Sequence, residues 1–117
     1  MLAFLFVRQI LAMQGLELAQ KFEVLGMQTY LYSTLGEIAM AETDETQAES
    51  YLKKGLKLAE RFSMAERVAG ITANLGLLAR QRGQTDLALL YLSTALGQAQ
   101  SLGTLHLEAQ IHLWLAP

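Results

Sequence analysis

The sequence predicts an all-α fold in which helix pairs stack into a solenoid. Two observations point there. Asn74-Leu75-Gly76-Leu77-Leu78-Ala79 repeats, forty positions on, the pattern of Thr34-Leu35-Gly36-Glu37-Ile38-Ala39. Laid over 75–114 without a gap, residues 35–74 give ten identities: Leu35/Leu75, Gly36/Gly76, Ala39/Ala79, Ala48/Ala88, Tyr51/Tyr91, Leu52/Leu92, Leu56/Leu96, Ala59/Ala99, Ala69/Ala109 and Ile71/Ile111. Nearly all are small or apolar, the residues that set how closely helices approach, and self-similarity at such a period marks a stacked repeat. The second observation is apolar residues at helical spacing between short polar turns, with no strand pattern. At 117 residues the chain is one domain or a piece of one. Its 52 % apolar and 17 % charged content is rich for a small helical domain, so either the core is large for its length or some apolar surface belongs to a neighbour.

The first helix is expected over about Leu2 to Phe22, with apolar residues at 7, 10, 11, 18 and 22 marking one buried face. The opening run Met1 to Val7 lacks a preceding basic region and is too short for a membrane span, so it is read as buried helix and not as a targeting segment. Shifted by forty, Gly15, Leu16, Leu18, Ala19 and Phe22 fall on Gly55, Leu56, Leu58, Ala59 and Phe62, so the chain opens on the second helix of a pair.

A helix from about Met27 to Glu42 follows, and Thr43-Asp44-Glu45 closes it and caps the next, Glu45 to Arg61. That helix should bury Ala48, Tyr51, Leu52, Leu56 and Ala59. Ser63-Met64-Ala65-Glu66 reads as a capping box, with Ser63 as N-cap of a helix running to Arg82. Gly83 supplies a stop, Thr85 caps a helix from Asp86 to Ser101, Gly103 stops again, and Thr104 opens a last helix to Pro117. The units are a partial repeat 1–22, repeats 27–62 and 66–102, and a partial repeat 104–117. Within each pair, Gly36 and Gly76 are expected to face Ala48 and Ala88 at close approach, with Tyr51, Leu52, Tyr91 and Leu92 filling space near the turn. Mid-helix glycine costs roughly 1 kcal/mol against alanine, so two at matched positions imply a packing reason.

Leu35-Gly36…Ala39…Ala48…Leu52 and Leu75-Gly76…Ala79…Gly83…Ala88…Leu92…Ala95 resemble the tetratricopeptide repeat (TPR) family, and a third unit begins at Ile111 with Trp114-Leu115-Ala116. The 40-residue period exceeds the family's usual length of about 34, and its late proline is missing. Longer periods resemble the helical-repeat arms of bacterial LuxR-type regulators and peptide-sensing signalling proteins. The resemblance implies a right-handed α-α superhelix of about six antiparallel helices whose first helices line a concave groove. In that register the lining would be Tyr30, Ser33, Thr34, Glu37 and Met40, then Ala73, Asn74, Leu77, Arg80 and Gln81, then Gln110, Leu113 and Trp114. Asn74 matches the place where the family often carries an asparagine that grips a peptide backbone. An amide suits that task because it donates and accepts at once.

Net charge −2 and pI 5.6 give no footprint for nucleic acid or anionic lipid. With no cysteine there is no thiolate nucleophile, thiolate metal site or disulfide, which suits a reducing cytoplasm. His106 and His112 are six apart, on different sides of a helix, and read as ordinary surface or interface histidines. Glu42, Asp44, Glu45 and Glu49 sit at a turn and helix start, where they complement the helix dipole. No phosphate-binding glycine loop occurs. The expectation is therefore a non-enzymatic, cofactor-free scaffold binding a protein or peptide segment. Alternatives are the regulatory arm of a larger bacterial transcription regulator or signalling ATPase, and a self-assembly element. The half-units at either end, with Leu2, Phe4, Phe6, Leu113 and Trp114, are expected to make oligomer contacts or to mark a fragment.

Overall fold

A computed structural model describes residues 2–116; the side chain of Leu2 and the expected helix end at Pro117 lie outside what it describes. Six helices and no strand occur among the described residues: α1 Leu2–Lys21, α2 Leu25–Ala41, α3 Glu45–Arg61, α4 Ala65–Gln81, α5 Thr85–Leu102 and α6 Leu105–Leu115. The connections are so short, residues 22–24, 42–44, 62–64, 82–84 and 103–104, that successive helices must run antiparallel.

These turns share one geometry. Glu23, Thr43, Ser63, Gly83 and Gly103, spaced by twenty, all take left-handed backbone with φ between 54 and 74°. In each, the N–H of the next residue donates back to the carbonyl of an alanine, Ala19, Ala39, Ala59, Ala79 or Ala99, at 2.8–3.1 Å. That closure satisfies carbonyls at the helix end. The small side chain of the same alanine, buried every time, lets the next helix fold back tightly. A left-handed residue cannot be an N-cap, which needs extended backbone. Ser63 is therefore not the expected cap; Met64 holds that place, and Gln84 displaces Thr85. Asp44 caps as expected, accepting from the N–H of Gln47 at 3.2 Å.

Each helix packs on its neighbours in sequence, and the remaining packings are α2 on α4 and α4 on α6. The even-numbered helices thus lie side by side in one layer, and the odd-numbered helices pack on that layer and not on one another. The expected close contact exists but its partner differs. A Cβ on Gly36 would lie 2.6 Å from Leu52 and one on Gly76 2.7 Å from Leu92, so leucines in mid-hairpin fill the notch; Ala48 does face Gly36, but only through its carbonyl at 3.6 Å, and beside Gly76 the next neighbour is Tyr91 and not Ala88. Three clusters make the core, centred on Leu31, Leu35 and Ile38, on Leu52, Ile71 and Leu78, and on Leu92, Ala95 and Ile111. The radius of gyration, 14.0 Å, is near the roughly 13 Å of a compact chain this long.

The apolar residues expected to bury α1 face outward instead. Ala12 and Ala19, with Gly15 and Leu16, meet α2, while Phe4, Phe6, Val7, Leu11, Leu18 and Phe22 are exposed. Within the opening run, Phe4, Phe6 and Val7 are helical and exposed, and Leu5 is half-buried. No described helix is long and apolar enough to cross a membrane.

Candidate binding groove

The layer of α2, α4 and α6 is hollowed into a groove of about 600 Å³. Helical spacing explains its lining. Tyr30, Ser33, Thr34, Glu37 and Met40 recur along one face of α2; Glu66, Arg67, Gly70, Asn74 and Leu77 do so on α4, and Leu107, Gln110 and Trp114 on α6. Its floor contains an open position: a Cβ on Gly70 would meet nothing within 4 Å. The walls carry aromatic faces, both signs of charge and amides. Arg67 stacks over the Tyr30 ring at 5.2 Å, a cation–π contact that holds the guanidinium at the rim.

Most expected groove residues come together here: Tyr30, Ser33, Thr34, Glu37, Met40, Asn74, Leu77, Gln110 and Trp114 all line it. Four do not. Ala73 is fully buried in the cluster with Leu92 and Ile111, and Leu113 is 74 % exposed and away from the lining. Arg80 and Gln81 are turned to other tasks. Arg80 Nη1 donates to the carbonyl of Trp114 at 2.6 Å, and Gln81 Nε2 donates to the carbonyl of Met40 at 3.2 Å. One residue ties α4 to α6, the other ties α4 to α2.

Asn74 needs a larger correction. It is 8 % exposed, and its Nδ2 donates to Ser33 Oγ at 3.0 Å and to Glu37 Oε1 at 3.2 Å. Both amide hydrogens are thereby committed to α2, and only Oδ1 remains to accept from a ligand. The residue is first a structural tie between helices. Of its register partners, Thr34 lines the groove, and Trp114 lines it while packing on the α5–α6 core.

Glu66, Arg67, Gly70, Ile71 and Leu107 line the groove without having been expected there. All but Glu66 lie at three-, four- or seven-residue steps from Asn74 or Gln110, and Glu66 stands one turn before Gly70, so extending the helical stripe toward each N-terminus finds them. Arg8 of α1 also lines the groove, from the register position of the buried Ala48 and Ala88; no sequence pattern announces it. His112 Nε2 lies 4.0 Å from Glu108, one turn away. His106 sits apart in a shallow hollow with Met64 and Leu107. Of the residues expected at the open ends, Phe4 and Phe6 are exposed, and the side chain of Leu2 lies outside the described residues.

Comparisons of the chain with family models, with curated proteins and with solved structures give no match.

Proposed function

We propose that this chain is a helical-repeat module that binds an extended protein or peptide segment in the groove of α2, α4 and α6. The observation that carries this is the composition of the groove wall. Side chains from three parallel-lying helices converge on one channel, with aromatic and aliphatic surface beside amide, carboxylate and guanidinium groups. A channel of that kind fits side chains of alternating character along a strand-like segment. The proposal extends to a TPR-like, right-handed superhelical course. It is supported by the forty-residue recurrence of the glycine–leucine notch at Gly36–Leu52 and Gly76–Leu92. A cytoplasmic setting fits a chain without cysteine.

The test uses the chain against an immobilised library of unstructured peptides, followed by affinities for the best binders. Gly70→Phe should plug the groove without overpacking the core, because the position opens on empty space. It is expected to weaken binding by more than about tenfold, or about 1.4 kcal/mol, while melting like the wild type. Tyr30→Ala should weaken binding as well, and Lys53→Glu, on exposed α3 surface, should not. Peptides that bind Gly70→Phe as tightly as wild type would place the function elsewhere.

A further inference from the structure

Because the odd-numbered helices do not pack on one another, α2 floors a gap between α1 and α3, and α4 floors a gap between α3 and α5. The same register positions wall both gaps, so the two can be compared like for like. Where the first has Glu23 and Leu25, the second has Ser63 and Ala65. Where α3 gives the first gap Lys54, Lys57 and Arg61, α5 gives the second Thr94, Gly97 and Ser101. Every replacement is smaller, and the second gap is a hollow of about 870 Å³. A Cβ on Gly97 would meet nothing within 4 Å, so the hollow reaches down to the backbone of α5. It shares no lining residue with the groove of α2, α4 and α6.

The replacements also remove charge of one sign. Three cations give way to two hydroxyl side chains and a glycine, which leaves Glu60 as the one charged residue of the lining. Glu60 forms no ion pair among the described residues. Beside it, Ala65, Val68 and Leu102 supply aliphatic wall. Gln98, whose register partners are Leu18 and Leu58, adds an acceptor: its Oε1 is buried and finds no donor among the described residues. A buried acceptor gains from any donor that reaches it. No bond of that carbonyl holds the amide, and the last torsion of a glutamine is soft, so the oxygen is able to turn toward a donor entering the hollow.

We propose that this hollow is a second binding site, for a small amphipathic amine. Its volume and largely apolar wall with a few polar groups suit a small organic ligand. The alkyl or aryl body would lie over Gly97 and Val68, with the ammonium directed at Glu60 and the Gln98 carbonyl. Such a ligand supplies what Lys57 supplies from within the chain at the equivalent place: an apolar stem ending in a cation. An anionic ligand would meet Glu60 with no cation in the lining to offset it.

Titrating the isotopically labelled chain with octylamine, octanol and octanoate, each below its micellar concentration, tests this through amide chemical shifts. The three share an alkyl body and differ in the charge of the head at neutral pH. Octylamine should shift Ser63, Val68, Gly97, Gln98 and Ser101, and bind at least about tenfold more tightly than either of the others. Glu60→Gln should bring octylamine down to the affinity of octanol and leave octanol unchanged. Gly97→Leu, built into open space, should abolish the shifts while melting no lower than wild type. Gly70→Phe, in the groove, should leave them intact. Octanol or octanoate binding as tightly as octylamine overturns the proposal, as does an octylamine response absent from the hollow or spread over the exposed face of α1. So does octylamine binding that is lost in Gly70→Phe or unchanged in both Glu60→Gln and Gly97→Leu.

Discussion

At residues 23, 43, 63, 83 and 103 the same left-handed turn is made by Glu, Thr, Ser, Gly and Gly. Glycine takes this backbone freely, while other residues are strained there by about 1–2 kcal/mol, β-branched ones most. Thr43, at φ 59°, is the most strained, and its hydroxyl makes only an exposed local bond to the carbonyl of Glu42. Thr43→Gly should raise stability by about 0.5–1 kcal/mol after glycine's entropic cost, or roughly 2–4 °C in melting temperature. A drop in calorimetry would show that the turn strain is not there. Asn74 supplies the opposite case. Its two bonds to α2 are each worth about 1 kcal/mol, so Asn74→Ala should lose roughly 1–2 kcal/mol in urea unfolding. Asn74→Asp should lose more, because a carboxylate would face Glu37. Gly83 and Gly103 were legible as stops because glycine advertises the conformation. Thr43 and Ser63 instead resembled caps, since residue type alone does not separate the end of one helix from the start of the next. The clue that does is alanine at 19, 39, 59, 79 and 99, a twenty-residue beat beneath the forty-residue one.

Between elements, the glycines divide by what stands over them. Gly76 sits under the branch point of Leu92, itself 2 % exposed and unable to move aside, whereas Gly97 of α5 has open space. Gly97→Ala should therefore stabilise by about 1 kcal/mol through helix propensity. Gly76→Ala, the same chemical change, should destabilise, and Gly76→Leu should cost roughly 1–3 kcal/mol from overpacking. Equal effects of the two alanine substitutions in thermal unfolding would refute the notch. The glycine–leucine pairing was half legible: matched glycines announced a close approach, but which residue fills it depends on the stagger between helices. The face of α1 was misjudged for a related reason. Periodicity finds an apolar stripe, yet α1 packs on α2 through Ala12, Gly15 and Ala19 and turns its larger side chains outward.

Across the whole molecule, the alternation of layers does most to determine where a ligand could lie. Among the described residues, only α2, α4 and α6 touch one another beyond their sequence neighbours, so apart from Arg8 of α1 the groove is theirs. Nine of the residues expected from the repeat register line it, because register fixes which side of a helix faces the layer. Arg80 and Gln81 were less legible, since long polar side chains near a helix end reach whichever carbonyl is left free. Their bonds to Trp114 and Met40 brace the layer at the groove's edge. The most direct test is amide chemical-shift mapping of the isotopically labelled chain during titration with the tightest peptide from the library. Binding in the groove predicts shifts concentrated at Tyr30, Glu37, Gly70, Leu77, Gln110 and Trp114, with α3 and α5 little changed. Shifts confined to α1, α3 and α5 would contradict it.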